Sequence, residues 1–166
     1  MYTPFLYQRV KKFVDNYGLG IYHLIKGTGL FFPAVVAQSA LESGYGDNIP
    51  EGSNNFGGIK YNPNIEGVVG YVLADTTERN TKTGKIYKTK QKFAKFKDVE
   101  SGFRGHIKVL LLDRYKDARL LAKTPEQQVM MLAEAGYSTL TPKQYLAKLK
   151  NIIDAVTDYK KIGRIA

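Results

Sequence analysis

A glutamate at the end of an otherwise apolar segment is the first place where this chain could do chemistry. Glu42 closes the run Ala34-Val35-Val36-Ala37-Gln38-Ser39-Ala40-Leu41, whose polar members are Gln38 and Ser39, and it stands just before Ser43-Gly44. The pattern predicts a helix opened by Pro33 and stopped by Gly44 and Gly46, with the carboxyl at its C-terminal end beside a flexible turn. A helix C-terminus carries partial negative charge, and partial burial disfavours a carboxylate, so both push the pKa of Glu42 upward. A carboxylic acid that keeps its proton near neutral pH is what the leaving group needs in glycosidic bond cleavage. On these grounds alone, a solvated glutamate in a last helical turn remains the competing reading.

The residues after Glu42 offer a groove wall. From Asp47 to Asn64 the chain is rich in Gly, Asn and Pro, which predicts a loop held by local hydrogen bonds. Tyr45, Phe56, Tyr61 and Tyr71 are the aromatics nearest to it, able to stack on a sugar face or to pack in a core. Asn54 and Asn55 carry amides that can meet hydroxyl or acetamido groups. His106 falls in a helical pattern one residue before Ile107 and reads as a buried, hydrogen-bonded histidine rather than a ligand or base. Glu100-Ser101-Gly102-Phe103 superficially repeats Glu42-Ser43-Gly44-Tyr45, but Glu100 belongs to a first helical turn, where the helix dipole keeps a carboxylate ionised.

Helices and one hairpin must position these groups. Thr3-Pro4 followed by Leu6, Val10, Phe13, Val14 and Tyr17 predicts a first helix that stops at Gly18, and a short apolar stretch Ile21 to Ile25 ends at Lys26-Gly27. Val68 to Leu73 and the alternating Lys88, Lys90 and Lys92, around turn residues Asn80 to Gly84, predict a short β-hairpin with one basic face. That face reads as a solvated edge that blocks edge pairing and attracts anionic polymers. Asp98 caps a helix through Val99, Phe103, Ile107, Leu110 and Leu111. Thr124-Pro125-Glu126-Gln127 and Thr141-Pro142-Lys143-Gln144 each combine a Thr cap, Pro at the first helical position and Gln at the third, and so predict two further helices. No repeat and no linker interrupts the pattern, so residues 1–166 read as one α+β domain, mainly α, with a small β-hairpin lobe.

Composition narrows the chemistry. A length of 166 residues suits one domain burying roughly two-thirds of the surface of its unfolded chain. With no cysteine, thiolate nucleophiles, disulfides and Cys-ligated zinc are excluded, and His23 and His106 are the only imidazoles, so no metal or other cofactor is expected. The formal charge of +10 favours a polyanionic partner: nucleic acid, anionic lipid or bacterial wall polymer. The lysines are spread along the whole chain, and no helix-turn-helix, zinc or RNA-binding signature accompanies them, so a specific nucleic-acid module is the weaker reading. No window reaches the roughly 20 apolar residues of a membrane span, and the start Met1-Tyr2-Thr3-Pro4 lacks the pattern of a signal peptide.

The string Ala37-Gln38-Ser39-Ala40-Leu41-Glu42-Ser43-Gly44-Tyr45-Gly46, followed by Asn54-Asn55-Phe56-Gly57-Gly58-Ile59-Lys60, resembles the signature of the glucosaminidase family of peptidoglycan hydrolases. That family includes flagellar wall-cutting enzymes, autolysins and phage lysins. The likeness continues through Thr76-Thr77-Glu78, Phe93-Ala94-Lys95-Phe96, Ser101-Gly102-Phe103, His106, Arg114-Tyr115 and Ala135-Gly136-Tyr137-Ser138-Thr139, in order and with sensible spacings. Two departures are visible: the family's usual tryptophan is Tyr45, and the aspartate expected shortly after Tyr137-Ser138-Thr139 is replaced by Leu140-Thr141.

The resemblance implies a lysozyme-like helical fold whose hairpin lobe flanks an active-site groove. It implies Glu42 as general acid, Glu78 as a second carboxylate and Tyr137 as a functional tyrosine, with Tyr45, Asn54, Asn55, Phe56, Tyr61 and Tyr71 near the substrate. The expected reaction is cleavage of the N-acetylglucosaminyl-β-1,4-N-acetylmuramic acid bond, by a monomer acting on glycan strands of the cell wall. Glu78 can activate water, or be dispensable if the substrate's own acetamido group attacks the sugar carbon while Tyr137 orients it. A muramidase or lytic transglycosylase is the nearest rival, since a helical domain with one essential glutamate suits either bond. Without a signal pattern, the expected setting is a phage lysin, a virion component or a protein exported by another route.

Overall fold

The sequence Thr3-Pro4 opens α1 (Pro4–Ile25), where the Thr3 hydroxyl accepts a hydrogen bond from the Leu6 amide at 3.2 Å. The helix does not stop at Gly18. Val10, Phe13, Val14, Ile21 and Ile25 form one buried face that stays in register across Gly18, and burying it outweighs the roughly 1 kcal/mol that a glycine costs a helix interior. The computed structural model describes the backbone of residues 1–80 and 82–161, and their side chains except at positions 78, 79, 160 and 161.

The second helix, α2 (Phe32–Glu42), is the centre of the molecule. Every residue from Ala34 to Ala40 is at 0% exposure, and the helix packs against α1 and against two later helices. Then comes the loop, and after it an antiparallel pair, β1 (Val68–Arg79) and β2 (Ile86–Phe96), running in register from Val72↔Phe93 to Arg79↔Ile86. The hairpin is longer than its sequence suggests. Its turn is built by Asn80, whose Oδ1 accepts from the Lys82 and Thr83 amides at 2.9 Å. Lys88, Lys90 and Lys92 stand opposite Thr77, Asp75 and Leu73, so the basic face forms as the alternation predicts. Segment 59–61 lies along β2, with the Ala94 amide donating to the Ile59 carbonyl and the Tyr61 amide to the Lys92 carbonyl, each at 2.9 Å.

Asp98 caps α3 (Val99–Leu110), accepting from the Ser101 amide at 2.7 Å. A 3-10 turn over Asp113–Tyr115 leads into α4 (Lys116–Leu120), two short elements with too little apolar repetition to be read from sequence. The remaining helices, α5 (Pro125–Glu134) and α6 (Pro142–Lys161), carry the expected caps. The Thr124 hydroxyl accepts from the Gln127 amide at 3.1 Å, and Thr141 and Gln144 cap each other's amides at 3.1 and 3.3 Å. Around α2 these helices form a lysozyme-like body, and the hairpin projects from it as a small lobe. No helix among the described residues is long and apolar enough to cross a membrane.

Candidate active site

Glu42 is the last residue of α2, and the turn that follows it is locked in place. The Ser43 hydroxyl donates to the Ser39 carbonyl at 2.6 Å and accepts from the Gly46 amide at 3.0 Å. Tyr45 adopts a left-handed backbone with φ 63°, a conformation costly for a side-chain-bearing residue. Arg9 holds it there: its guanidinium lies 4.2 Å over the Tyr45 ring, donates to the Gly44 carbonyl at 3.0 Å and pairs with Asp47 at 3.3 Å. Glu42, just before this fixed turn, lines open depressions of the surface.

That space is a groove made of two adjoining depressions. One, of about 320 Å³, is lined by Glu42 together with Gly58, Lys60, His106, Arg114 and Tyr137. The other, of about 610 Å³, is lined by Glu42, Asn55, Lys60, Thr76, Thr77 and Phe93, and so runs between the helical body and the hairpin. Glu42, Gly58 and Lys60 belong to both, which makes the groove continuous past the carboxyl. The outer edge of Glu42 is solvent-accessible, yet protein crowds its other sides. Loss of water there raises its pKa above the ordinary carboxylate value, and the charge of Lys148 offsets only part of the rise.

Tyr137 is placed by the end of α5. Gly136, with φ 90°, takes the left-handed position that closes the helix, and the Tyr137 amide reaches back to the Leu132 carbonyl at 2.9 Å. Its ring packs edge-on or tilted against His106, Tyr115 and Tyr145, with centroids 6.4, 5.8 and 6.1 Å away. Burial, reinforced by Tyr145 and Glu42, holds the phenol well above its ordinary pKa, so it keeps its proton. The phenol is therefore a neutral hydrogen-bond donor in the same cavity as the carboxyl.

His106 is buried, as its helical spacing predicts, but it is not hydrogen-bonded in the expected way. It lines the Glu42 cavity, and its Nε2 has no partner among the described residues. Desolvation lowers its pKa to about 4, so the ring is neutral at ordinary pH. Gly57 makes room for it, since a Cβ there would come within 2.7 Å of Nδ1. No signal in the sequence separates this histidine from one in a closed core.

The other expected substrate contacts divide. Asn55 lines the groove, but its amide is occupied: Nδ2 donates to the Ile59 and Ala94 carbonyls at 2.8 and 3.0 Å, and Oδ1 accepts from the Ile59 amide at 2.9 Å. It staples the loop to β2. Asn54 donates to the Phe96 carbonyl at 3.1 Å. Phe56, expected near substrate, is at 1% exposure and stacks on Phe103 at 4.4 Å within a cluster that includes Phe13 and Tyr17. Its place in the string is explained by packing. Tyr45 lines neither depression of the groove. Tyr61 and Tyr71 lie together on the hairpin lobe with centroids 5.2 Å apart, and Lys92 covers Tyr71 at 4.3 Å. Glu78 pairs with Tyr87 along the strand, but its side chain lies outside the described residues; Thr76 and Thr77 before it line the groove. Lys60 and Arg114, which the sequence did not single out as site residues, also line the cavity with Glu42. Their only prior signal was position within the family-like strings.

Comparisons with known proteins bear on the family and the fold. A sequence model described as mannosyl-glycoprotein endo-β-N-acetylglucosaminidase, of the glucosaminidase family, matches residues 21–158. The peptidoglycan hydrolase FlgJ of Escherichia coli K12 is 30% identical over 124 residues, which are 72% of this chain and 38% of FlgJ. The chain thus spans well under half the length of that relative. The catalytic domain of the autolysin Auto from Listeria monocytogenes superposes with a TM-score of 0.73 at 25% identity, covering 95% of this chain and 88% of that one. The glycoside hydrolase domain of Salmonella typhimurium FlgJ does so with a TM-score of 0.66 at 26% identity, covering 90% and 98%. With a family match over most of its length and a groove built where that family's strings fall, the chain belongs to the glucosaminidase family of glycoside hydrolases.

Proposed function

We propose that this protein hydrolyses peptidoglycan, cutting the β-1,4 bond that follows N-acetylglucosamine with Glu42 as general acid. The observation that carries the reading is the placement of Glu42 and Tyr137 on one cavity, the first with its pKa raised and the second held protonated. A protonated Glu42 gives its hydrogen to the glycosidic oxygen as the bond to the sugar carbon breaks, so the leaving sugar departs as an alcohol. The phenol of Tyr137 donates a hydrogen bond to the acetamido group of the sugar left behind, orienting its oxygen toward the positively charged carbon. Water then completes the hydrolysis, activated by Glu78 or by the proton-poor Glu42 left after the first step. The strand runs through the groove between body and hairpin, with Asn55 and the threonines of β1 shaping its wall. The site of action is the bacterial wall.

Product analysis tests the reading. Wall glycan digested by the protein and examined by mass spectrometry is expected to carry new N-acetylglucosamine reducing ends, and Glu42→Gln is expected to abolish them while the fold persists. New muramic acid reducing ends, or anhydro-muramic products, would overturn the bond assignment; full activity in Glu42→Gln would overturn the acid.

A further inference from the structure

We infer that Arg114 is a docking point for a carboxylate of the peptide stem carried by the muramic sugar, so that the site reads the stem as well as the glycan. The inference rests on the peptidoglycan reading above. Arg114 begins from an unusual position. It sits in the 3-10 turn between α3 and α4 and lines the cavity that holds Glu42 and Tyr137. Its guanidinium lies 4.6 Å over the ring of Tyr115, itself buried at 1% exposure, and Tyr115 packs edge-on against Tyr137 at 5.8 Å. An arginine stacked on a fixed ring loses little freedom on binding and presents its planar fork of donors in one orientation.

No carboxylate among the described residues lies within ion-pairing distance of Arg114, whereas Arg9 is paired with Asp47 and Arg104 with Glu100, and Arg119 donates to the Leu111 carbonyl at 3.3 Å. The cavity's own acid is Glu42, and the reaction needs that group neutral, which leaves the Arg114 guanidinium as a positive charge on its wall. That charge has no counterpart in the sugars themselves, since N-acetylated sugar rings are uncharged. The muramic lactyl group is joined by an amide to a peptide stem, and the free carboxylates of that stem are the anions nearest the bond to be cut. A guanidinium meets a carboxylate through two parallel N–H···O bonds, which no amide or hydroxyl can accept in the same way. The geometry therefore matches a stem carboxylate better than a sugar hydroxyl.

Binding separates this inference from the reading it rests on. Calorimetric titration of the whole protein with soluble muropeptides is expected to show free-carboxylate stems binding at least about tenfold tighter than the same stems amidated, and Arg114→Gln is expected to bring the two within about twofold. Arg114→Lys, which keeps the charge and loses the fork, is expected to recover only part of the preference. Thermal melts of both variants matching the parent exclude loss of fold as the cause; if Arg114→Gln melts early, the parent's own preference for free over amidated stems decides. A parent indifferent to amidation, or an Arg114→Gln variant that keeps the preference, overturns the inference. A stem preference without any glycan hydrolysis would instead overturn the proposed activity and leave the docking point standing.

Discussion

The side-chain amide of Gln38 donates a hydrogen bond to the hydroxyl of Tyr145 at 3.1 Å, tying α2 to α6 one helical turn below Glu42. Both residues are buried, and the Gln38 carbonyl oxygen has no hydrogen-bond partner among the described residues. Tyr145→Phe would leave the whole amide unsatisfied in the core, at a cost of about 1–3 kcal/mol. Urea denaturation is the check, and a variant with an unchanged midpoint would contradict it. Because the bond anchors the helix that ends in Glu42, activity is expected to fall further than stability alone explains.

The pKa of Glu42 is raised, so its acid form persists above the ordinary carboxylate range and is lost as pH climbs through the raised value. The rate is expected to fall on the alkaline side of that value. The same displacement means that ionised Glu42 weakens the fold at neutral pH, because the folded state holds the proton more tightly than the unfolded one. Glu42→Gln is therefore expected to melt at an equal or higher temperature than the parent at pH 7, while losing about 10²–10⁴-fold in rate. An alkaline limb that survives in a still-active Glu42→Gln would assign it to another group.

Tyr137→Phe keeps the ring that packs on Tyr115 and Tyr145 and removes only the hydroxyl. The expected result is a loss of about 10²-fold in kcat with KM little changed, as for a donor that acts mainly in the transition state. Steady-state kinetics on wall glycan reads it. A rise in KM at constant kcat would make the tyrosine a simple binding contact.

His106 has its folded pKa lowered from 6.5 to about 4, so between those values the native state binds fewer protons than the unfolded chain. Its contribution to stability is complete above pH 6.5 and drains away as pH falls, reaching roughly 3 kcal/mol lost below pH 4. Imidazole resonances followed by NMR are expected to stay in the neutral form down to about pH 4. Titration near 6.5 would show that the ring is hydrated rather than enclosed.

Asn55→Asp replaces an amide that donates to the Ile59 and Ala94 carbonyls with a group that can only accept once ionised. A buried carboxylate facing two carbonyl oxygens is expected to cost about 3 kcal/mol and to loosen the loop from β2. Chemical denaturation measures the first effect and a drop in wall hydrolysis the second. Stability equal to the parent's would show that the loop is held by other bonds.

Local pattern carried a large part of this protein. The caps at Thr3, Asp98, Thr124 and Thr141, the hairpin turn with its lysine face, and Glu42 at the end of an apolar helix all follow from residues within a few positions of one another. Such features are decided by bonds that the neighbouring backbone makes, so a short stretch of sequence contains them. The family-like strings added the order of the site but not its geometry. What only the tertiary structure decided is where distant surfaces meet. Gly18 reads as a stop until the face it interrupts is seen buried on both sides. Phe56 and Asn55 look alike as groove residues until one enters the aromatic core and the other staples two backbones. His106 and Arg114 have nothing in their spacing to mark them, because a cavity wall is drawn from loops and helices far apart in sequence. Periodicity records how much of a residue is buried, whereas the partner it is buried against, and whether that partner leaves room for a ligand, is fixed only when the elements pack.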